Sequence, residues 1–458
     1  AVSLVPLAMP FFMLPKHLGH PHPEFSLGET AIVLCVVVGG ARLALIQGRK
    51  QHTAEALQHV LGSRGLLAGI TLFLVSASFA TLFAWDRHLA LAACRLVIVE
   101  PIAYAILVIC LVRDSWSMLR TLAALVASGL CVAAIGLGQY LFNPSSLVGY
   151  AVGAGQHAHL VAAVYGSPDN LALLLDRALP VAVVLGLAWH TGVSRSIRGM
   201  RHAYYPVFLA ISLLAMVLIL TGSRGGMITA AAVSLTVVLL WYRRSPLSRP
   251  LAYLGLLLVL AGTAAVLWKF HHGLSTVTRT YVWQSALQML RDHPLWGIGP
   301  DNFLAYYFNP VTGIDHVHAQ AVSCLPPGVR VAPTHYMLAQ AWPEPCLSHP
   351  HNVVLDLWLS TGLFGLIGMG ISLVAVSHRA RALLRVRSSM AQQAVTVSCI
   401  AIIVATLAHG LIDNSIFVPD IAVAFWLALA LLVGQYAYLR RCSYPPTCYH
   451  EGQLDRGK

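Results

Sequence analysis

The sequence predicts an all-α protein that crosses a membrane about twelve times and carries one large outer loop with helices of its own. The chain is 57% hydrophobic and 10% charged, whereas a soluble domain holds about 25% charged residues. Apolar stretches of about 18 residues or more recur from end to end, as spanning helices require. The segments between them are alternately rich and poor in Lys and Arg, as expected for a chain that crosses repeatedly.

The apolar stretches define the spans to within several residues. They are residues 1–15, 25–47, 64–84, 89–111, 118–142, 169–190, 204–222, 226–242, 251–270, 351–376, 391–414 and 419–440. The first stretch lacks an A-x-A-like cleavage site, so we expect a retained helix and not a signal peptide. The organisation is therefore nine spans in 1–270, the large loop 271–350, three spans in 351–440 and a tail, 441–458.

The charge pattern sets the expected orientation. Most of the 29 Lys and Arg lie in one set of connecting segments, which the positive-inside rule places in the cytoplasm together with both termini. The loop 271–350 is then outside. Because this explanation accounts for most of the net charge of +12, no nucleic-acid partner is expected.

The cysteines agree with this layout. Those within spans are expected to be small packing residues; they are Cys35, Cys94, Cys110, Cys131 and Cys399. Cys324 and Cys346 lie in the outer loop, where a disulfide can persist. Spacing alone does not show whether the two sulfurs meet, so a disulfide and two free thiols both stay open. Mass spectrometry of non-reduced peptides distinguishes the two.

A first polar segment, TGSRGG at 221–226, joins two spans on the outer side. Arg224 would lie near hydrocarbon depth, where a charge is costly and usually functional. Gly225 and Gly226 permit close approach of the backbone to a ligand. The helix that begins here adds free N–H groups, so the segment favours a phosphate. The alternative is that Arg224 snorkels to the interface and caps the preceding helix.

A second segment, residues 275–303, contains a helix followed by a tight turn at Gly297 and Gly299. Its apolar face is predicted at Trp283, Ala286, Leu287 and Leu290. Arg279 lies on the same stripe, and an arginine there favours an anionic partner. The alternative is that Arg279 snorkels while Trp283 anchors the interface.

A third segment, SHPHN at 348–352, leads into the tenth span. His351 is expected to begin that span, and Leu355, Trp358 and Gly362 fall on its face at helical spacing. Imidazole is the usual general base near neutral pH, although histidines at membrane interfaces are often structural. A zinc site is a further alternative, with ligands from His349, His351 and one of His335, His316 or His318. There is no H-E-x-x-H motif, and we expect no metal.

Taken in order, these segments resemble bacterial O-antigen ligases (the WaaL group) of the O-antigen ligase/polymerase, or Wzy_C-like, superfamily. His351-Asn352, nine residues and then Gly362 to Gly365 is similar to the family pattern H-[NSQ]-x9-G-x-x-[GTY]. Residues 221–225 resemble its T-x-S-R-G segment. Residues 279–300 resemble its "R…W…hPl.GiGp" segment, and Ser167 to Leu171 the start of a middle span. The resemblance covers about residues 160–420, and earlier spans match in topology only.

The resemblance implies a GT-C-like glycosyltransferase that is independent of metals and cofactors. Such ligases move a polysaccharide from undecaprenyl diphosphate to lipid A–core oligosaccharide at the periplasmic face of the bacterial inner membrane. The implied partners are these donor and acceptor molecules and the membrane lipids. His351 would take the proton of the acceptor hydroxyl, with inversion. Arg224 and Arg279 would stabilise the leaving diphosphate.

Further residues are predicted to contact or orient the substrates: Arg177, Asn170, His349, Asn352 and Trp283. Asn352 would orient the imidazole, and His349 would neighbour the base or replace it. The intramembrane pairs Arg95–Glu100 and Asp176–Arg177 are either functional or paired with their neighbours. Asp356 is placed where it could bind sugar hydroxyls, as is Asp413.

Three other functions remain open. A Wzy-type O-antigen polymerase uses the same donor, and a protein O-oligosaccharyltransferase of the superfamily differs in its acceptor. A lipid-linked sugar transporter would show internal repeats with broken helices near the midplane. The sequence shows no such repeat, and its polar groups cluster at one face. The His-Asn-x9-Gly spacing favours the ligase over the polymerase and leaves the protein O-oligosaccharyltransferase open.

Overall fold

The computed structural model describes most of the chain. The described residues are 2–13, 15–16, 25–45, 63–153, 156–196, 205–243, 274–307, 331–338, 347–386 and 388–442. The predicted span 251–270, both loop cysteines and the tail beyond residue 442 lie outside them. The predicted domain boundaries and the disulfide therefore stay predictions.

The architecture is all-α, as predicted. The helices are α1 (Leu27–Leu45), α2 (Arg64–Leu82), α3 (Arg87–Cys94), α4 (Glu100–Leu111), α5 (Ser115–Phe142), α6 (Pro168–Ser196), α7 (Tyr205–Leu220), α8 (Arg224–Tyr242), α9 (Leu274–Asp292), α10 (Phe303–Tyr307), α11 (Val353–Arg385), α12 (Met390–Gly410) and α13 (Pro419–Cys442). Within the described residues, nine helical stretches are long and apolar enough to cross a membrane, and Val2–Phe12 and Tyr205–Leu220 are shorter apolar helices. This confirms a polytopic membrane protein.

The first predicted span differs from a regular α-helix. Val2–Met13 is a 3₁₀ helix that contains Pro6 and Pro10. Proline has no amide hydrogen to donate, so two prolines four residues apart interrupt the i to i−4 hydrogen bonds of an α-helix. The tighter helix packs against α1 and α5, and the Tyr104 hydroxyl donates to the Val2 carbonyl at 2.9 Å.

The span formed by α3 and α4 contains a π-helical turn, Arg95–Val99. Arg95 Nη1 lies 2.6 Å from Glu29 Oε1 on α1, and Arg95 Nε lies 3.9 Å from Glu100 Oε1. A charge at membrane depth is costly unless it is paired. These three residues therefore form a structural ion cluster, in agreement with the pairing alternative.

Two short antiparallel ribbons were not predicted. β1 (Pro15–Lys16) pairs with β2 (Phe25–Ser26). β3 (Val148–Gly153) pairs with β4 (Gln156–Leu160), with Val148 opposite Leu160 and an irregularity between Ala151 and Gly153. Neither ribbon changes the fold class, because each consists of two short strands between predicted spans.

The helices pack closely where their facing residues are small. A Cβ atom added to Gly69 of α2 would lie 2.8 Å from the Gly368 carbonyl oxygen of α11, and one added to Gly368 would lie 2.6 Å from the Phe73 amide nitrogen. Small residues allow the two backbones to approach, which favours helix association in membranes. The helix α13 lies at the centre, since 83% of its apolar stretch is buried, compared with 22% of that of α1.

The helix α11 is interrupted at Gly362, which has φ 76° and ψ 172°. The Leu363 amide donates to the Leu295 carbonyl at 3.0 Å, and the Ile298 amide donates to the Leu359 carbonyl at 2.7 Å. The segment 293–302, named here the docking turn, therefore supplies hydrogen bonds at the break in the helix. The backbones touch, since a Cβ atom on Gly362 would lie 2.3 Å from the Leu295 oxygen.

The docking turn is held from its other side by the connection between α2 and α3. The Asn302 side chain accepts from the Asp86 amide at 2.9 Å and donates to the Asp86 carbonyl at 3.2 Å. Gly299 has φ 90°, and a Cβ atom there would lie 2.5 Å from Ala84 Cβ. The glycines of the HPLWGIGP sequence thus fit the turn between two helices.

We predict that Gly362→Ala lowers the stability of the folded protein by about 1–3 kcal/mol or more, because it adds a steric clash to a backbone conformation that only glycine adopts freely. Gly370→Ala in the same helix is the matched control, because a Cβ atom there meets nothing within 4 Å. Thermal unfolding in detergent measures both. Equal melting temperatures for the two variants would contradict the prediction.

Candidate functional site

The imidazole of His351 is oriented by a carboxylate. Its Nδ1 lies 2.6 Å from Oδ1 of Asp413, in the connection between α12 and α13. The carboxylate favours the tautomer in which Nδ1 carries the hydrogen, so that Nε2 is able to accept a proton. His351 has φ 50°, a conformation that is costly for a residue with a side chain. This strain indicates that contacts with the surrounding protein hold the backbone of His351 in this conformation.

The sequence predicted His351 in the first turn of α11. It lies instead just before that helix, which begins at Val353. The residue that caps the helix is Asn352, whose Oδ1 accepts from the amides of Val354 at 3.0 Å and Leu355 at 3.2 Å. Such a cap satisfies amides that have no partner inside the helix. Asn352 Nδ2 also donates to the Leu411 carbonyl at 3.1 Å. Asn352 therefore contacts protein groups, and Asp413 orients the imidazole instead.

The second histidine shares the same carboxylate. His349 Nε2 lies 3.6 Å from Asp413 Oδ1, and the rings of His349 and His351 are 4.5 Å apart between centroids. Burial lowers the pKa of His349, but the hydrogen bond and charge of Asp413 outweigh it and raise the pKa above its ordinary value of 6.5. Burial raises the pKa of Asp413, but its bonds to both histidines hold it well below the usual 3.8.

Two imidazoles and a carboxylate are also a possible metal-ligand set. The donor atoms of His349, His351 and Asp413 all lie within 4.8 Å of one another, and zinc accepts nitrogen and oxygen ligands of these types. His335 is not part of this group among the described residues. His316 and His318 lie outside the described residues. Within the described part of the chain, the zinc alternative rests on His349, His351 and Asp413.

A cleft of about 220 Å³ opens beside His349, and His351 is not among the described residues that line it. Its walls come from α3 and the π-helical turn, the start of α6, the docking turn, α11 and the connection after α12. The polar residues that line it are Asn170, Asp301, Ser348, His349, Asp356, Ser360 and Asn414. Two predicted substrate contacts, Asn170 and His349, are therefore on its wall. Asp301 is exposed to the cleft, and the surrounding protein desolvates its carboxyl, which raises the pKa to about 6 despite the opposing effect of His349.

Arg224 is exposed at the start of α8, where the Ser223 side chain accepts from the Gly226 amide at 3.4 Å. A Cβ atom on Gly225 would lie 2.8 Å from His409 Nε2 and 2.7 Å from Ile412 Cδ1. Gly225 therefore provides space for neighbouring side chains, whereas the sequence predicted space for a ligand. Gly225 thus packs against the segment 409–413, which also carries the carboxylate bonded to His351.

The buried face of α9 differs from the predicted stripe. It is formed by Val282, Ser285, Ala286, Met289 and Leu290. Leu287 is 49% exposed, whereas Trp283 and Arg279 are half-buried. The packing partners decide this face, since α9 rests on α11 through Leu355 and Trp358. Arg279, Trp283 and His351 are all absent from the described residues that line the cleft, and the substrate contacts of Arg279 and Trp283 stay a prediction.

Arg177 has no exposed surface. Its Nη1 lies 2.7 Å from Asp176 Oδ1, and its Nε donates to Thr406 Oγ1 at 3.0 Å. Asp176 Oδ2 in turn lies 2.5 Å from Nδ1 of His409. The guanidinium thus faces protein groups, and its burial argues against the predicted contact with a diphosphate.

Two roles were not predicted: the bond of Asp413 to His351, where a contact with sugar hydroxyls was expected, and the bond of His409 to Asp176. The signal for Asp413 was its position in a short connection at the end of a span, where a carboxylate is unusual. His409 carried no such signal, because its partner Asp176 is 233 residues away. Both belong to the segment HGLID at 409–413, which joins the surroundings of Arg224 to those of His351.

Comparison with known proteins gives one family. Residues 209–370 match the family model described as O-antigen ligase. No curated protein matches the chain. The matched region includes the TGSRGG segment, α9, the docking turn and both histidines of SHPHN.

The His349–Asp413 interaction predicts a pH-dependent stability. A histidine whose folded pKa is raised stabilises the fold below its ordinary pKa and loses this contribution as the pH rises through the folded value. A carboxylate whose folded pKa is lowered contributes above its ordinary pKa and loses this as the pH falls through the folded value. Asp413→Asn should therefore lower the melting temperature more at about pH 5.5 than at about pH 8.5. An equal loss at both pH values would contradict this.

Removing the carboxylate of Asp176 should destabilise the protein strongly, because the buried Arg177 loses its counter-ion. We expect Asp176→Ala to cost about 3–5 kcal/mol. Asp169→Ala, in the first turn of the same helix, is the control and should cost at most about 1 kcal/mol. Thermal unfolding in detergent compares them, and a loss for Asp176→Ala no larger than that of the control would count against the ion pair.

Proposed function

We propose that this chain, which belongs to the O-antigen ligase/polymerase superfamily, is an O-antigen ligase of a bacterial inner membrane. Superfamily members are membrane glycosyltransferase-like enzymes with lipid-linked polysaccharide and lipid-bound acceptor substrates. The proposed donor is a polysaccharide on undecaprenyl diphosphate, and the proposed acceptor is lipid A–core oligosaccharide. The observation that carries the proposal is the His351–Asp413 pair. Its histidine lies within the matched family region, and the neighbouring His349 lines a polar cleft.

In the proposed step, His351 acts as the general base. An acceptor hydroxyl attacks the anomeric carbon of the donor while its proton passes to Nε2 of His351. The new glycosidic C–O bond forms as the bond between the anomeric carbon and the diphosphate oxygen breaks, and the electron pair leaves with the diphosphate. Attack opposite the leaving group inverts the anomeric configuration. Asp413 stabilises the imidazolium that results, at a distance of 2.6 Å from Nδ1.

The diphosphate gains negative charge as the bond breaks, and cations that are already in place stabilise that charge in the transition state. Arg224 is proposed as one such cation, because the adjacent Gly225 packs against His409 and Ile412 in the segment that also carries Asp413. Arg279 is proposed as a second cation on the evidence of its half-buried position on α9. The proposed step uses no metal ion.

The proposed orientation rests on the distribution of Lys and Arg, which favours cytoplasmic termini. The ends of α6, α8 and α11 that carry Asn170, Arg224 and His351 would then face the periplasm. There the donor and the acceptor both reach the site from the membrane.

Complementation of a ligase-deficient strain tests the function. The wild-type chain should restore a lipopolysaccharide ladder on a gel, whereas His351→Ala should lose about 10²–10⁴-fold of the transfer rate because it lacks the base. Arg224→Ala and Arg279→Ala should also abolish the ladder. His378→Ala and Arg291→Ala, which change exposed residues, are the matched controls.

Near-normal transfer by His351→Ala would show that another group is the base. Restoration of long chains in a polymerase-deficient strain, without a ladder in the ligase-deficient one, would favour the polymerase. Inhibition of the purified enzyme by a chelator would favour the metal alternative at His349, His351 and Asp413.

A further inference from the structure

The cleft has a chemistry different from that of a phosphate site. Two carboxylates, Asp301 and Asp356, and two amides, Asn170 and Asn414, line it. Among the described residues that form its walls there is no Lys or Arg. Two carboxylates repel an anion, whereas carboxylate and amide oxygens accept hydrogen bonds from hydroxyl groups. The cleft therefore favours a hydroxyl-rich ligand over a diphosphate.

One carboxylate oxygen of Asp356 has no hydrogen-bond partner among the described residues. The residue is 4% exposed, and its Oδ1 accepts from Ser360 Oγ at 3.3 Å. Its Oδ2 is buried and has no hydrogen-bond partner among the described residues. Buried polar atoms are nearly always hydrogen-bonded, and one without a partner in the protein indicates a missing donor. A ligand hydroxyl in the cleft supplies such a donor.

The size of the cleft limits its occupant. Its volume of about 220 Å³ is below the roughly 300–1,000 Å³ of sites for drug-sized ligands. This suits a single sugar ring better than a lipid chain or a long glycan. Leu359 and Phe417 on the walls offer apolar surface to the C–H groups of such a ring.

We propose that this cleft is the subsite for the acceptor sugar, in which Asp356 and Asp301 accept hydrogen bonds from its hydroxyl groups. The inference rests on the proposed function. The acceptor and not the donor is assigned because the acceptor hydroxyl gives up the proton. His349 lines the cleft and shares Asp413 with His351, so a sugar in the cleft lies beside the proposed base. The diphosphate is assigned outside the cleft, because the described wall residues include no Lys or Arg.

The kinetic test uses the full-length enzyme in detergent, with undecaprenyl diphosphate-linked O-antigen and lipid A–core as substrates. Asp356→Asn should raise the KM for lipid A–core about tenfold, as expected for one lost charge-assisted hydrogen bond, with little change in kcat or in the KM for the donor. Asp301→Asn should act in the same direction. Asp169→Asn, at the start of α6 and outside the cleft, is the matched control.

An increase in the KM for the donor alone would assign the cleft to the donor sugar and overturn the proposal, as would unchanged KM values. If Asp356→Asn fails to fold, Ser360→Ala replaces it. That variant removes the hydroxyl that donates to Asp356 and should raise the acceptor KM about threefold.

A binding measurement separates this inference from the proposed function. The His351→Ala enzyme, which is expected not to turn over, is titrated with soluble core oligosaccharide and, separately, with undecaprenyl diphosphate. Adding Asp356→Asn should weaken the binding of the oligosaccharide about tenfold and leave the binding of the diphosphate unchanged. This result would support the subsite even if complementation failed. Equal effects on both ligands, or no effect on either, would overturn it.

Discussion

The exchange of backbone hydrogen bonds at Gly362 is the constraint on which the site depends. In a membrane, a break in a helix leaves amide and carbonyl groups that water does not satisfy, so protein must supply their partners. Here the docking turn does so through Leu295 and Ile298. The same contacts place Asp301 and Ile298 on the wall of the cleft that Asp356 also lines. The spacing between His351 and Gly362 therefore has a structural meaning: it is the length of helix between the histidine and the turn that docks against it.

Charge pairing provides the second layer of organisation. Asp413 bonds to both His349 and His351, and Asp176 joins His409 to the buried Arg177. A buried carboxylate without partners is costly, so each carboxylate fixes the positions of the side chains bonded to it. The segment 409–413 links the two groups, because it carries both His409 and Asp413.

Much of the fold was predictable, because spanning helices carry a strong local signal. The predicted spans in the described residues coincide with helices, and their ends shift by a few residues. Errors occurred where local pattern and packing differ. The prolines of the first span impose a 3₁₀ helix, and the exposed Leu287 was placed on the buried face of α9. The helical period allowed either of two neighbouring stripes of α9 to be the buried face. Packing against α11 determined which of them is buried.

Hydropathy and helix length alone establish the all-α membrane architecture and the position of His351 beside the start of a long span. These properties act over a few neighbouring residues. The tertiary structure was needed to show that Gly362 interrupts that span, that Asp413 orients His351, that Arg177 is buried and that Asp356 lines the cleft. The physical reason is that each of these outcomes depends on a partner distant in the chain. His351 and Asp413 are 62 residues apart, and no local periodicity encodes a contact of that kind.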